Sequence, residues 1–169
     1  MDTLQTIHTR RSIRKYKDKM VSNEDIEKTL KAAMQAPSAG NGQPWEFIVI
    51  RDKELLNQVP EFSKYAQMAK NAPAAILVCG NPGESRYPDL WPQDCSAACQ
   101  NILLAAWELG LGAVWTASYP WEDRMQGFRK LCDIPEDIIP FALIPVGYPD
   151  EEKGKDDRFD PEKVHENKW

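Results

Sequence analysis

Asp94-Cys95-Ser96-Ala97-Ala98-Cys99-Gln100-Asn101-Ile102-Leu103-Leu104-Ala105-Ala106-Trp107-Glu108-Leu109-Gly110-Leu111-Gly112 reads as one helix with its ending. Asp94 is expected to cap the free N–H groups of the first turn, and Gly110 and Gly112 supply a left-handed or flexible stop. Ala98, Ile102, Ala105, Ala106 and Leu109 line one face, while Ala97, Leu103, Leu104 and Trp107 cover most of the rest. Only Gln100, Asn101 and Glu108 are strongly polar. A helix apolar nearly all round is buried on more than one side. It is therefore expected to pack on the domain's own sheet and on a further surface, either a second subunit or the remainder of a single core.

The chain has 169 residues, enough for one domain with a real core, and no shift of composition suggests two. Its net charge of -5 argues against nucleic acid or an anionic membrane as the main partner. No segment is long and apolar enough to span a bilayer and the first residues carry no apolar signal core, so a cytoplasmic location is expected. The four cysteines, Cys79, Cys95, Cys99 and Cys132, form neither a CxxC pair nor a disulfide scaffold. Cys95 and Cys99 lie one helical turn apart and could share a metal, but His8 and His165 are the only histidines available, and buried, inert thiols are the simpler reading.

Outward from the central helix, four short apolar runs read as strands: Glu46–Ile50, Ala75–Cys79, Ala113–Thr116 and Phe141–Val146. Ser22 caps a helix whose stripe is Ile26, Leu30, Ala33 and Met34. A second covers residues 53–70 with an interruption near Pro60, and a third covers 121–132 with Met125, Phe128 and Leu131 inward. At the start, Asp2 and Gln5 flank a short helix that leads into Thr9-Arg10-Arg11-Ser12-Ile13-Arg14-Lys15-Tyr16-Lys17, a positive patch in an acidic chain. Arginine forks and a serine hydroxyl suit a phosphate, though a charge run is also what a solvated face looks like. Pro37-Ser38-Ala39-Gly40-Asn41-Gly42-Gln43-Pro44-Trp45 is either a loop that brings backbone close to a ligand or an ordinary turn into a strand. Residues 80–93, with Tyr87 and Trp91, read as a lid or a surface loop. Beyond Gly147 no periodicity supports a packed element, yet Phe159, Val164, His165 and Trp169 suit an arm that docks elsewhere better than a solvated tail.

Taken in order, Arg10-Arg11-Ser12-Ile13-Arg14, the Pro37–Trp45 loop, the Asp94–Gly112 helix running into Val114-Trp115, and Val146-Gly147-Tyr148-Pro149 before a mixed-charge tail resemble the FMN-dependent nitroreductase family over nearly the whole chain. The resemblance implies an α+β fold, a three-layer α/β/α arrangement around a central mixed sheet, in an intertwined homodimer. It also implies one domain over residues 1–169, with residues 148–169 as an arm crossing to the partner subunit. FMN would sit at the dimer interface, with NAD(P)H as electron donor.

Carried over by position, Arg10 and Ser12, supported by Arg11, match residues on the ribityl phosphate side of FMN, and Arg14 matches a basic residue beside the N1/O2 edge of the ring. Pro37, Ser38 and Ala39, with Asn41 and Gln43 nearby, match the loop that reaches the flavin from the other subunit. Ala117 and Ser118 match a segment whose backbone faces N5, and Arg158 and Lys155 match basic residues of the tail that reach the phosphate. Two departures fall on the substrate side: the chain lacks a long helical insertion over the flavin, and Ala117 stands where many relatives carry an acid. The implied activity is ping-pong transfer from NAD(P)H to nitroaromatics, quinones or similar flat acceptors, with no side-chain nucleophile. The alternatives are an FMN-binding or redox-sensing module without turnover, and a thiol oxidoreductase working through Cys95 and Cys99.

Overall fold

The computed structural model describes residues 2–154 and 156–169, the side chain of Glu84 excepted. Its elements are α1 (Thr3–Thr9), α2 (Asn23–Ala33), β1 (Trp45–Ile50), α3 (Lys53–Phe62), β2 (Ala74–Gly80), α4 (Trp91–Glu108), β3 (Gly112–Ala113), β4 (Thr116–Ala117), α5 (Glu122–Leu131) and β5 (Ile139–Gly147). The sheet runs β1-β2-β5-β3, with β4 also pairing β5. Side-chain alternation builds the layers, because successive residues of a strand point to opposite faces. Ile76 and Val78 of β2 and Ala142 and Ile144 of β5 pack with Ile26 of α2 and with Ala98, Ile102 and Ala106 of α4. Leu77 and Leu143 pack on the other face with Leu56 and Val59 of α3 and Phe128 of α5. Helices therefore cover both faces of the sheet, the expected three-layer α+β arrangement.

Several expectations shift in detail. All named strand pairs are antiparallel, and among the described residues the parallel component of the mixed sheet is the single bridge Ser12–Ala113. A Cβ at Gly112 would come within 2.6 Å of Ile13, so glycine is what lets that extended segment lie against β3. The strand expected at 113–116 is two short pairs separated by Val114-Trp115. Helix α3 carries Pro60 inside it and gives way only at Ser63, where a 3-10 turn over Lys64–Asn71 takes over. Met34 lies just past α2 and is exposed rather than part of its buried stripe.

Asp94 is not the cap of the central helix. Helix α4 begins three residues earlier, with Pro92 in its first turn, where a missing N–H costs no helical bond. The burial of α4 is also incomplete: Trp91, Cys95, Ala98, Cys99, Ile102, Leu103 and Ala106 are buried. Leu104 and Ala105 instead line an open groove of about 530 Å3 with Ala32, Asn101 and Thr6. Beyond Pro149 the tail is mostly exposed, with Phe159, Val164 and Trp169 among the largest exposed apolar side chains.

Candidate cofactor site

The basic run after α1 is extended and fixed by backbone pairing. Ile13 N–H donates to Ala113 C=O (3.0 Å), and the buried Tyr16 hydroxyl donates to Ile13 C=O (2.7 Å). The start of the tail returns along the same run: Lys17 N–H donates to Tyr148 C=O (2.9 Å), and Asp150 N–H donates to Lys15 C=O (2.9 Å). Glu151 Oε1 accepts the N–H groups of Arg14 (2.6 Å) and Lys15 (3.2 Å). Lys153 and these amides hold the Glu151 carboxyl below the ordinary range.

This stitching delivers the tail to Arg11, whose Nε donates to Gly154 C=O (2.8 Å). Arg158 is thereby brought to the end of α1. Arg10, Arg11 and Arg158 line one pocket of about 270 Å3 with Ile7, His8, Asp156, Asp157 and Phe159. Burial, and then the neighbouring Arg158 and Arg11 charges, hold the Arg10 guanidinium below the ordinary arginine range. Like charges converging in one half-buried place favour an anion there. Asp156 accepts from Arg158 Nε (2.7 Å), but both side chains are largely exposed. Such an exposed pair is worth about 0–1 kcal/mol. Lys155 lies outside the described residues.

The other expected residues are not gathered in that pocket. Ser12 is half-buried at the Ala113 bridge. Arg14 lines a separate basic cavity of about 730 Å3 with Lys15, Lys17, Arg51 and Lys53. The loop carrying Pro37, Ser38, Ala39, Asn41 and Gln43 sits against the start of α4 instead, where Asp94 Oδ1 accepts Ala39 N–H (3.0 Å) and Ser38 Oγ accepts Gln43 N–H (3.0 Å). Gly40, Asn41 and Gln43 all have positive φ. The Tyr87 ring packs so closely on Gly40 that a Cβ there would meet it at 2.9 Å, and the segment read as a lid therefore lies on this loop. Sequence reasoning missed the carboxylate of Asp94 as the tie between loop and helix; its Oδ2 is buried with no partner.

Ala117 is the last residue of β4, and Ser118 follows it. Ser118 and Tyr119 N–H both donate to Phe141 C=O, so these two amides are already occupied, while Ser118 Oγ is buried without a partner. Arg124 of α5 donates from Nη1 to Ala117 C=O (2.9 Å). Sequence reasoning also missed this buried arginine, although it stands four residues before Phe128 on the inward face of α5. Neither histidine is placed in a catalytic arrangement: His8 lines the arginine pocket, and His165 packs on Trp169 in the tail.

Cys95 and Cys99 are free and buried. Burial pushes the Cys95 thiol up to about 12 and raises that of Cys99 further, so both stay neutral and inert. No cluster of metal-ligating side chains occurs among the described residues.

Residues 7–148 match the nitroreductase family, and the chain belongs to it. It is 55% identical to a protein of Archaeoglobus fulgidus named as an NADH dehydrogenase/NAD(P)H nitroreductase, over 99% of each chain. An FMN-dependent nitroreductase of Clostridium difficile superposes with a TM-score of 0.92 at 35% identity, over 99% of this chain and 100% of that one. A nitroreductase-type protein of Desulfovibrio desulfuricans, solved in complex with FMN, matches with a TM-score of 0.84 at 31% identity, over 100% of this chain and 99% of that one.

Proposed function

We propose that this protein takes a hydride from NAD(P)H and passes electrons to flat acceptors such as nitroaromatics or quinones by a ping-pong mechanism, with FMN held between two copies of the chain. As a nitroreductase-family member it is an NAD(P)H-dependent FMN oxidoreductase. The observation that carries the assignment of residues is the convergence of Arg10, Arg11 and Arg158 on one pocket. Their donors suit the phosphate of FMN, and Ser12, which follows Arg11 in the chain but lies outside that pocket at the Ala113 bridge, would add its hydroxyl. Arg14, in its own cavity, serves the ring edge, where a fixed guanidinium favours added negative charge. Ala117 and Ser118 flank the ring in this reading, by position in the family pattern.

The loop 37–43 lines neither the arginine pocket nor the Arg14 cavity, as suits a segment that serves the partner's cofactor. Pro37, Ser38 and Ala39, with Asn41 and Gln43, would be its contacts. The open groove along α4 and the exposed Phe159, Val164 and Trp169 of the tail supply apolar surface for that partner.

FMN, when bound, supplies the hydride and electron chemistry, and the chain binds it, orients it and tunes it. The test is an absorbance spectrum of purified protein before and after anaerobic NADH or NADPH. Bound flavin that bleaches rapidly supports turnover. Bound flavin that does not bleach favours a sensing or carrier role, and a colourless protein that refuses added FMN removes the reading.

A further inference from the structure

Beside Ala117–Ser118 lies a platform built from three side chains. Trp121 and Tyr65 are large aromatics that are 47% and 64% exposed, an unusual amount of ring surface to leave in water. Between them lies the guanidinium of Arg124, 4.2 Å from the Trp121 ring centroid and 5.4 Å from that of Tyr65. Arg124 itself is only 9% exposed. Burying a cation is costly unless something answers its charge. Here the answer is two ring faces and the Ala117 carbonyl, and no carboxylate pairs with Arg124 among the described residues. Its charge is softened but not neutralised.

We propose that this platform selects flat acceptors that carry an anionic group, such as aromatic carboxylates. The proposal rests on the placement of the cofactor ring beside Ala117–Ser118 given above. An aromatic ring stacks on the exposed faces of Trp121 and Tyr65, and its carboxylate meets donors of Arg124 that the Ala117 carbonyl does not use. Lys64, 5.1 Å from the Tyr65 centroid, adds a second positive charge at the rim. Ala117 contributes no carboxylate to repel such a substrate. The acids nearest in sequence are turned to other work: Glu122 accepts from Gln126 (2.8 Å), and Asp123 lines a separate cleft with Gln58 and Lys130.

The test uses FMN-loaded protein and two probes of nearly equal size and shape, benzoate and benzamide, titrated by calorimetry. A charge-assisted hydrogen bond predicts that benzoate binds about tenfold to a hundredfold more tightly. Arg124→Gln should bring the ratio close to one, Arg124→Lys should keep part of it, and Trp121→Leu should weaken both probes while keeping the ratio. Turnover should shift in parallel, as the ratio of kcat/KM for 4-nitrobenzoate to that for 4-nitrobenzamide. FMN uptake shows that each variant is folded; if Arg124→Gln fails that check, the parent ratio and Arg124→Lys decide. Equal binding of the two probes by the parent, a preference that survives Arg124→Gln, or none left in Arg124→Lys, overturns the proposal. A parent that takes up no FMN fails at the earlier reading instead, so the two failures are distinguishable.

Discussion

Two groups of arginines in this chain have opposite surroundings. At the end of α1, Arg10, Arg11 and Arg158 line one pocket, and burial, followed by the neighbouring Arg158 and Arg11 charges, lowers the proton affinity of Arg10. At the start of α5, Arg124 is alone, more deeply buried, and set against two rings and a carbonyl. The first arrangement gathers three guanidiniums against the exposed carboxylates of Asp156 and Asp157, and the remaining excess of positive charge favours an added anion. The second has its charge softened by two rings and a carbonyl but paired with no carboxylate among the described residues, and on the proposal above it takes a flat ligand that brings an anionic group. Arginine content therefore says little about a site, and what each guanidinium faces says a good deal.

The largest effect should come from removing the tail that completes the first group. Deleting residues 150–169 takes away Arg158 together with Asp150 and Glu151, which stitch the tail to residues 14–15. FMN affinity should fall by more than about a hundredfold, the loss of at least two contacts of this kind. If the exposed Phe159 and Trp169 dock on a partner, the protein should also turn monomeric. Gel filtration with light scattering and a flavin titration measure both, and a truncated dimer that keeps its FMN would show that the tail belongs to neither.

Single substitutions within the group should do less. Arg158→Ala or Arg10→Ala should weaken FMN binding by about tenfold to a hundredfold, the loss of one charge-assisted contact. The parent's affinity should fall with added salt more steeply than either variant's, because those contacts are ionic. Equal salt slopes in a titration series would place the phosphate elsewhere.

How much of this was legible in the sequence follows from how local each signal is. The strands and helices were legible because burial on one face imposes a period on the chain, and Ile76, Val78, Ile144 and Ile102 obey it. The start of α4 was misread because Asp94 is a good capping residue, whereas the tertiary contact that uses it, Ala39 N–H, is 55 residues away in sequence. The same limit hid the platform: Tyr65 and Arg124 meet only after the chain has passed through β2, α4 and β4. The arginine patch could be suspected from Arg10 and Arg11, but the arrival of Arg158 beside them was carried by family resemblance and not by any periodicity.

Arg14 tests whether the separate basic cavity belongs to the cofactor. If its guanidinium sits at the ring edge, Arg14→Ala should lower the flavin's reduction potential by about 30 mV, which for a two-electron couple corresponds to about 1.4 kcal/mol. Reduction by NAD(P)H should slow correspondingly, while nicotinamide affinity changes little. A potential titration with stopped-flow absorbance separates the two, and an unaltered potential would leave the Arg14 cavity without a part in flavin chemistry.

The smallest effect is expected at the cysteines, where the two arginine groups have no counterpart: among the described residues no cation contributes to the shifts of Cys95 or Cys99. Cys95 Sγ points instead at the carbonyls of Pro44 (3.9 Å) and Cys79 (3.7 Å). Burial raises each thiol, because the charged form is the one that loses solvation. With Cys95 pushed up to about 12, its thiolate fraction at pH 8 is on the order of one in ten thousand, and it increases only as the pH approaches that value. Cys79 is raised to about 12 by the same cause, whereas Cys132 is half-buried and less protected. Iodoacetamide at pH 8 should therefore modify Cys132 first and leave the other three intact in the folded protein, as peptide mass mapping would show. The treated protein should be reduced by NAD(P)H within about twofold of the untreated rate, since alkylation at Cys132 touches neither arginine group. Rapid alkylation of Cys95 or Cys99 accompanied by loss of flavin reduction would reverse this and bring the thiol pair into the chemistry.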